Sequence, residues 1–303
     1  MTANATGRGP DIVIAGSARS ATSALARALS VHPDIDPGKV KEPNFFSRHF
    51  ERGFEWYDGF YDSRRSDLLR LDASVSYTSP LYPAALENLA MTSPDPFIIY
   101  CVRDPIDRAV SHYLYRRHYF KIEPAESFGS ALSESSYYLL SSDYAAWLTA
   151  LTSHFPRLLV VPFEAVTGGS HAVATVICRQ VGLGEPPADE QQVQRHRNDV
   201  MEYRNDVFRR ASKVLRHSAW NPRLRSALGA SRVRRLRGIV TRKPALPTLA
   251  EALASCNADQ LVELAELRER AMTAVDDRLK DQDERLGLSW QRLCFATREA
   301  GPA

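Results

Sequence analysis

The sequence predicts a doubly wound α/β domain built on a central parallel sheet, and three patterns indicate it. Short apolar runs typical of buried strands recur along the chain, at residues 11–15, 68–72, 96–102 and 157–163. The first run ends at Gly16 and leads into a helical pattern that starts near Ser23 and stops before Pro33, the usual opening of a parallel sheet. Asp104 and Pro105, residue types that favour a helix N-terminus, follow the most strand-like run. Right-handed crossovers should join the strands.

Length and composition fit one large globular domain. The chain has 303 residues, of which 44% are hydrophobic and 25% charged, as in ordinary soluble domains. We expect a flexible polar arm over residues 1–10 and a single domain over residues 11–298. No stretch approaches the ~20 apolar residues of a membrane-spanning helix. The four cysteines lie far apart, which argues against a zinc site or a disulfide framework and indicates a reduced, cytoplasmic protein.

A basic segment occupies the second half of the chain. Residues 195–243 contain fifteen Lys or Arg against three acids, a net charge of +12 in a chain whose net charge is +3. We interpret residues 195–246 as a helical insertion or lid, which either meets an anion or presents solvated helix faces. Few aromatic residues accompany these cations, so no nucleic-acid partner is expected. A helical pattern resumes at Leu249 and runs to about Leu286.

The loop from Gly16 to Ser23 is a candidate anion site. A loop that joins a buried strand to a helix presents backbone N–H groups at the positive end of the helix dipole. This loop also contains the cation Arg19 and several hydroxyl side chains, but neither G-K-[ST] nor G-x-G-x-x-G. The alternative is a tight turn whose Ser or Thr merely caps the helix.

A second candidate element is VRDPIDRAVSHY, at residues 102–113. Arg103 ends the most strand-like run, where open α/β sheets bind their ligands, and Ser111 follows about two helical turns later. The planar guanidinium suits phosphate, and a serine hydroxyl adds a hydrogen bond. The alternative is an ion pair between Arg103 and a surface carboxylate such as Asp107.

Together, the two elements resemble those of the PAPS-dependent sulfotransferases, where PAPS is 3′-phosphoadenosine 5′-phosphosulfate. GSARSATSALARALSVHP is similar to the 5′-phosphosulfate loop of that family, and VRDPIDRAVSHY to its 3′-phosphate element. KEPNFFS, DASVSYTSP, VVPFEAV and GLSW follow in family order, closer to the heparan sulfate and bacterial branches than to the phenol and steroid branch. The resemblance implies a P-loop-like fold, and sulfonate transfer from PAPS to an acceptor hydroxyl without a metal. The product would be 3′-phosphoadenosine 5′-phosphate (PAP).

The resemblance also implies roles for individual residues. Glu42 would act as the general base, and Lys41 beside it would hold the cofactor or offset charge. Arg103 and Ser111 would bind the 3′-phosphate. The 5′-phosphosulfate would be bound by loop residues, namely Arg19, Ser20, Ala21, Thr22 and Ser23. Arg19 would also stabilise the leaving group.

Other readings of these positions remain open. Glu42 could instead be a solvated carboxylate paired with Lys41, with His32 or His112 as the rival base. The aromatic residues between 45 and 61 either form an acceptor wall or pack against the core; they are Phe45, Phe46, Trp56, Tyr57, Phe60 and Tyr61.

The sequence departs from the family pattern at several positions. Ala21 stands where glycine is usual, and Arg19 where many members have lysine. Ala73 and Val75 replace a lysine and a proline of the glycan sulfotransferases, which argues against a heparan-like acceptor. A glycan, a glycolipid or another natural product would each fit. The alternative functions are an ATP-using P-loop kinase, disfavoured by the absent G-K-[ST], and a non-catalytic polyanion-binding protein.

Overall fold

Five parallel strands form the central sheet of this protein. A computed structural model describes residues 7–93, 95–187, 202–203, 241–242 and 246–287. The strands are β1 (Ile12–Gly16), β2 (Ile35–Asp36), β3 (Leu69–Asp72), β4 (Phe97–Val102) and β5 (Leu158–Pro162), in the order β2-β3-β1-β4-β5. All four strand pairs are parallel. The predicted doubly wound α/β fold is confirmed, although sequence reasoning missed the two-residue strand β2.

Ten α-helices accompany the sheet in the described ranges. They are α1 (Thr22–Ser30), α2 (Gly53–Asp58), α3 (Ala85–Thr92), α4 (Pro105–Leu114), α5 (Phe128–Glu134), α6 (Tyr137–Leu140), α7 (Tyr144–His154), α8 (Phe163–Gln180), α9 (Leu249–Leu253) and α10 (Ala258–Leu286). Short irregular helical turns lie at Phe45–His49, Phe50–Arg52, Val75–Thr78 and Tyr115–Phe120. None of the helices in these ranges is long and apolar enough to cross a bilayer.

Alternating side chains of the strands build a core on each face of the sheet. Ile12 and Ile14 of β1 lie on the face covered by α1 and α8. Val13 and Ala15 lie on the opposite face, with α3, α7 and α10. Because both faces are covered, β1, β4 and β5 are continuous apolar runs, which is why the sequence predicts them well, whereas β3 also contains Arg70 and Asp72.

The order of the strands determines where a ligand can bind. The chain leaves β1 toward β3 and β2 on one side, and then returns to add β4 and β5 on the other. The crevice beyond the carboxyl ends of β1 and β4 is therefore the switch point of the sheet, where open α/β folds bind ligands. Gly16 and Val102 end these two strands.

Capping side chains define where α4 and α10 begin. Asp104 caps α4 as predicted, accepting hydrogen bonds from the backbone N–H groups of Ile106 and Asp107. The helical pattern predicted from Leu249 to about Leu286 is present as two helices, α9 and α10. Asn257 forms a capping box with Gln260, which starts α10 as a new helix after α9.

A side chain completes the edge of the sheet at β5. The amide of Gln282 on α10 accepts from the backbone N–H of Val160 at 2.8 Å and donates to its carbonyl at 2.9 Å. Arg278 donates to the carbonyl of Leu158 at 3.1 Å. Gln282 is only 3% exposed, so these backbone groups have no ready access to water. The helix thus takes the place of a further strand and protects the edge.

Most of the basic segment lies outside the described residues. Of residues 195–246, the structure describes Glu202–Tyr203, which pairs antiparallel with Thr241–Arg242, and residue 246. The predicted lid, most of the arm over residues 1–10 and the domain end near residue 298 also lie outside.

We expect Gln282→Ala to lower the free energy of unfolding by about 2–4 kcal/mol, because it leaves a buried N–H and a buried C=O without partners. Urea denaturation of the purified protein measures this loss. Glu284→Gln, an exposed change on the same helix, is the control and should be near neutral. Equal stability of Gln282→Ala and the parent would show that β5 does not depend on this amide.

Candidate functional site

A cleft of about 1110 Å³ opens at the carboxyl ends of β1 and β4. Its lining includes the loop after β1, the start of α4, the turn after α4 and the segment that follows β3. The described residues that line the cleft include six arginines but only one carboxylate, that of Glu42. The arginines are Arg19, Arg27, Arg48, Arg103, Arg108 and Arg116. The cleft is large enough for two substrates and is suited to an anion.

The loop after β1 leaves the N-terminus of α1 uncapped. Ala21 is the N-cap residue, and no side chain accepts a hydrogen bond from the first turn of the helix. Ala21 has φ 62° and ψ 14°, the left-handed conformation that glycine adopts without strain. The first N–H groups of a helix have no partner within the helix, so they can bind an anion here. This left-handed conformation explains why the phosphosulfate loops that this loop resembles usually have glycine at the position of Ala21.

The hydroxyl groups of this loop divide into two sets. Thr22 and Ser23 line the cleft, as predicted for a phosphosulfate site. Ser20 is fully buried, and its Oγ lies 2.6 Å from the Oγ of Ser17, which donates to the carbonyl of Cys101. Ser20 therefore joins the loop to β4, and its side chain is not part of the cleft lining.

Arg19 and Ser111 are in contact although they are 92 residues apart, but of the two only Arg19 lines the cleft. The Nε of Arg19 donates to the Oγ of Ser111 at 3.1 Å. Its guanidinium lies 4.2 Å from the ring centroid of Tyr115. Burial lowers the pKa of Arg19, as does the charge of Arg103, whereas Tyr115 opposes them. The two predicted phosphate elements thus form one site.

Arg103 lies at the cleft, as predicted for a phosphate ligand, and it also forms the ion pair with Asp107 that was the alternative prediction. Its guanidinium lies 3.3 Å from the carboxylate of Asp107 and 4.6 Å from the ring centroid of Phe163. The side chain also lines the cleft and keeps 23% of its surface exposed. Asp107 therefore orients Arg103 at the cleft and leaves part of the guanidinium accessible.

Two further residues at this site were missed by sequence reasoning. Tyr144, fully buried, accepts from the backbone N–H of Arg103 at 3.2 Å and lies 3.5 Å from the Oγ of Ser17. Arg108, also fully buried, donates to Ser142 Oγ and to the carbonyl of Tyr138. The five-residue spacing from Arg103 to Arg108 was the only available signal, and Tyr144 had none.

His112 is an unsuitable base for proton transfer. It is buried against Arg108, with its Nδ1 3.1 Å from the guanidinium. Burial lowers the pKa of His112 well below its ordinary value, and Arg108, Arg116 and Arg19 lower it further. His32 lies outside the cleft lining, and its Nδ1 accepts from the backbone N–H of Asp34.

Glu42 reaches the cleft from the segment before the Phe45–His49 turn. Its carboxylate lies 2.5 Å from the Nζ of Lys41 and remains 38% exposed. Lys41 lies outside the cleft lining, whereas Glu42 is part of it. The ion pair between Glu42 and Lys41, which was the alternative prediction, is therefore present, and Glu42 still lines the cleft. The amide of Asn44 donates to the backbone carbonyl of Glu42 at 2.8 Å and holds this segment.

A buried carboxylate lies behind Glu42, at the end of β3. Asp72 accepts hydrogen bonds from the hydroxyls of Ser74, Tyr77 and Tyr57 at 2.6–3.0 Å. Burial raises the pKa of Asp72 to about 6, although these hydrogen bonds act to lower it. Ser74 Oγ in turn accepts from the backbone N–H of Asn44 at 3.0 Å. The chain of contacts ties the segment of Glu42 to β3.

The aromatic residues between 45 and 61 pack in the core. Phe45, Phe46, Tyr57 and Tyr61 are buried together on the face of α3 and α7, and Trp56 and Phe60 pack against them. None of the six lines the cleft. The interpretation as an acceptor wall is therefore wrong, because these rings face the sheet. Different apolar residues line the cleft, among them Val75, Leu81, Tyr82, Tyr115, Phe120 and Ile122.

The donor set of the cleft suits phosphate or sulfate groups. Guanidinium groups, hydroxyls and helix N–H groups all donate hydrogen bonds to anions. Within the described ranges, no three His, Cys, Asp or Glu side chains cluster as metal ligands would. The arrangement can hold a polyanion between β1 and β4 and place one carboxylate, Glu42, beside it.

We expect Ala21→Gly to raise the free energy of unfolding by about 1 kcal/mol, because glycine adopts the left-handed conformation without the clash of Cβ. Thermal unfolding measures the gain. The same substitution at Ala28, inside α1, is the control and should destabilise by about 0.5–1 kcal/mol. A loss of stability in Ala21→Gly would contradict the strain at this position.

Comparisons with known proteins identify the family of this chain. The model of the sulfotransferase domain family matches residues 9–215. Heparan sulfate glucosamine 3-O-sulfotransferase 6 of Mus musculus is 33% identical over 106 residues, which cover 35% of this chain and 30% of that protein. Heparan sulfate glucosamine 3-O-sulfotransferase 3B1 of Homo sapiens is 32% identical over 104 residues, which cover 34% and 26%. The chain thus spans less than a third of the length of these relatives.

A solved structure supports the fold. The sulfotransferase from Alicyclobacillus acidocaldarius superposes with a TM-score of 0.52 at 24% identity, covering 63% of this chain and 87% of that one. The family match spans more than half of the sequence and includes both phosphate elements and Glu42. The resemblance predicted from GSARSATSALARALSVHP and VRDPIDRAVSHY is confirmed: this chain belongs to the sulfotransferase family.

Proposed function

We propose that this protein transfers a sulfonate group from PAPS to a hydroxyl of an acceptor and releases PAP. The observation that carries the proposal is the hydrogen bond from Arg19 to Ser111. It joins the loop after β1, which would bind the 5′-phosphosulfate, to the helix after β4, which would bind the 3′-phosphate. Arg19 and Arg103 line the cleft, whereas Ser111 contacts Arg19 without being part of the lining. The absence of G-K-[ST] from the loop disfavours an ATP-using kinase.

The residues at the cleft fit this cofactor. The uncapped N-terminus of α1, with Arg19, Thr22 and Ser23, would hold the 5′-phosphosulfate. Arg103 and Ser111 would hold the 3′-phosphate. When bound, PAPS supplies an activated sulfonate and a phosphate leaving group. Ser20 would act through the position of the loop, since its hydroxyl bonds to Ser17.

Two side chains would carry the chemistry of transfer. Arg19 would stabilise the charge that develops on the leaving phosphate, and such stabilisation is often the largest single contribution to catalysis. Glu42 would accept the proton of the acceptor hydroxyl, an effect worth about 10²–10⁴-fold. Lys41, paired with Glu42, would help to hold the cofactor or offset developing charge.

Several wider features belong to the same proposal. The acceptor would be a glycan, a glycolipid or another natural product, bound in a single domain over residues 11–298. No metal ion and no nucleic acid would be needed. The protein would be reduced and cytoplasmic, a proposal that rests on the wide spacing of the four cysteines in the sequence.

Calorimetric titration with PAP, AMP and ATP tests the cofactor assignment. We expect PAP to bind more tightly than AMP or ATP, since PAP alone among these carries a 3′-phosphate. Arg103→Ala should weaken PAP binding by about 10- to 100-fold, because it removes a charge-assisted hydrogen bond to that phosphate. The affinity for AMP should change little.

Arg157→Ala is a matched control for this variant. Arg157 also has a carboxylate partner, Asp95 at 3.4 Å, and a ring beneath it, Phe97 at 5.3 Å, but it lies at the amino end of β5. Its loss should leave PAP binding unchanged. If PAP bound no better than AMP, the sulfotransferase proposal would be overturned; a preference for ATP would favour the kinase alternative.

Tyr144 should act as a positioning residue for the cofactor. Its buried hydroxyl lies between the backbone N–H of Arg103 and the hydroxyl of Ser17, and so fixes one phosphate element relative to the other. We expect Tyr144→Phe to weaken PAP binding by about 3- to 10-fold and AMP binding less, because AMP occupies the 5′ element alone. The ratio of the two dissociation constants is the measurement.

Tyr113→Phe provides the control for Tyr144→Phe. The hydroxyl of Tyr113 is also buried, but it donates to the carbonyl of Ala125 and its ring does not line the cleft. It should therefore leave the ratio of PAP to AMP affinity unchanged. A parallel loss of PAP and AMP binding in Tyr144→Phe would mean that Tyr144 serves stability alone.

A further inference from the structure

We propose that the acceptor is an amphiphilic alcohol, which carries its hydroxyl beside hydrocarbon or aromatic surface and also bears one anionic group. The inference rests on the proposed function and concerns the part of the cleft around Glu42. It is carried by the exposed apolar side chains at the mouth of the cleft and by a single arginine held among them.

Large apolar side chains are exposed on both sides of the cleft mouth. Leu81 is 56% exposed on one side, and Phe120 and Ile122 are 55% and 56% exposed on the other. All three line the cleft. A single exposed leucine is ordinary, but several on facing rims of one cleft indicate a surface that an apolar ligand covers.

The two rims belong to different segments of the chain. One is the segment after β3, where Val75 and Tyr82 line the cleft next to Leu81. The other begins at the irregular turn Tyr115–Phe120 after α4. Apolar side chains from both segments therefore line the same cleft.

Tyr115 connects these rims to the reacting groups. Its ring lies 4.2 Å from the guanidinium of Arg19, the proposed partner of the leaving phosphate. Burial raises the pKa of Tyr115 to about 12, with contributions in the same direction from Tyr119 and from the charge of Glu42. Both the proposed base and the leaving-group cation thus lie near one aromatic ring that lines the cleft together with the exposed apolar side chains.

Arg48 is a suitable partner for one anionic group. It is exposed, lines the cleft, and has its guanidinium 5.0 Å from the ring centroid of Tyr82. The ion pairs found in the described part of the chain do not include Arg48. A guanidinium held on a ring offers its donors to a carboxylate, phosphate or sulfate group.

The charges at the rims argue against a polyanionic sugar chain. Arg116, on the opposite side, already has a carboxylate partner, Glu123 at 3.6 Å, and lies 4.8 Å from the ring of Tyr137. Within the described residues, Arg48 is therefore the one unpaired cation on the wall formed by Val75, Leu81 and Tyr82. One anion on an apolar body matches this wall better than a repeated charge.

Transfer of radiolabelled sulfonate from PAPS tests the proposal with four acceptors. The probes are 8-hydroxyoctanoate, its neutral amide, gluconate and an N-sulfated heparosan hexasaccharide. We expect kcat/KM for 8-hydroxyoctanoate to exceed that for gluconate by at least about tenfold, since only the former offers apolar surface to the rims. The hexasaccharide should be the poorer acceptor as well.

Variants separate the apolar walls from the cation. Leu81→Gln combined with Phe120→Gln should lower kcat/KM for 8-hydroxyoctanoate by about tenfold and leave PAP affinity unchanged. Arg48→Gln should lower kcat/KM for 8-hydroxyoctanoate but not for its neutral amide. Met91→Gln, which changes a side chain that is 64% exposed on α3 away from the cleft, is the matched control and should have no effect.

The result can overturn the inference without touching the proposed function. Preference for gluconate or the hexasaccharide, absence of transfer to 8-hydroxyoctanoate, or unchanged selectivity in the Leu81 and Phe120 double variant would each overturn it. If PAP still bound through its 3′-phosphate in that case, the sulfotransferase would stand and only the acceptor class would fall. Loss of specific PAP binding would instead overturn the function on which the inference rests.

Discussion

The crowding of positive charge at the carboxyl ends of β1 and β4 is the constraint on which the rest of the site depends. Arg19, Arg103 and Arg108 line one cleft, and of these only Arg103 has a carboxylate partner in the described ranges. Burial lowers the pKa of Arg108, which hydrogen-bonds to neutral groups only. An anion between these arginines relieves their repulsion, so its binding must also stabilise the fold.

The same constraint explains local features that would otherwise look unfavourable. The neighbouring arginines require a neutral His112, and its pKa is lowered accordingly. The first turn of α1 has no cap, and Ala21 holds a left-handed conformation to present it. Such departures from the rules of stability are expected at functional sites, where the rest of the structure compensates for them.

Much of this arrangement could be predicted from sequence, and the failures have physical reasons. Strands buried on both faces are continuous apolar runs, whereas the two residues Ile35–Asp36 are too short to form a pattern. The break before α10 depends on the capping pair Asn257 and Gln260, whose signal is weaker than the helical pattern around it. Arg19 and Ser111 were found through their local motifs. Tyr144 was not, because its contacts join residues far apart in sequence.

The arginines and Glu42 are positioned by the central sheet, whereas the apolar rims of the cleft are not. This difference determines which part of the cleft can be substituted. The side proposed to bind the cofactor is fixed by the strand order, since β1 and β4 are neighbours. Glu42 is tied to β3 through Asn44, Ser74 and Asp72, and β3 is the other neighbour of β1. Glu42 and the arginines are therefore positioned by adjacent strands of one sheet. The apolar rims lie on segments outside it, so their side chains can be replaced, and the acceptor with them, without moving the reacting groups.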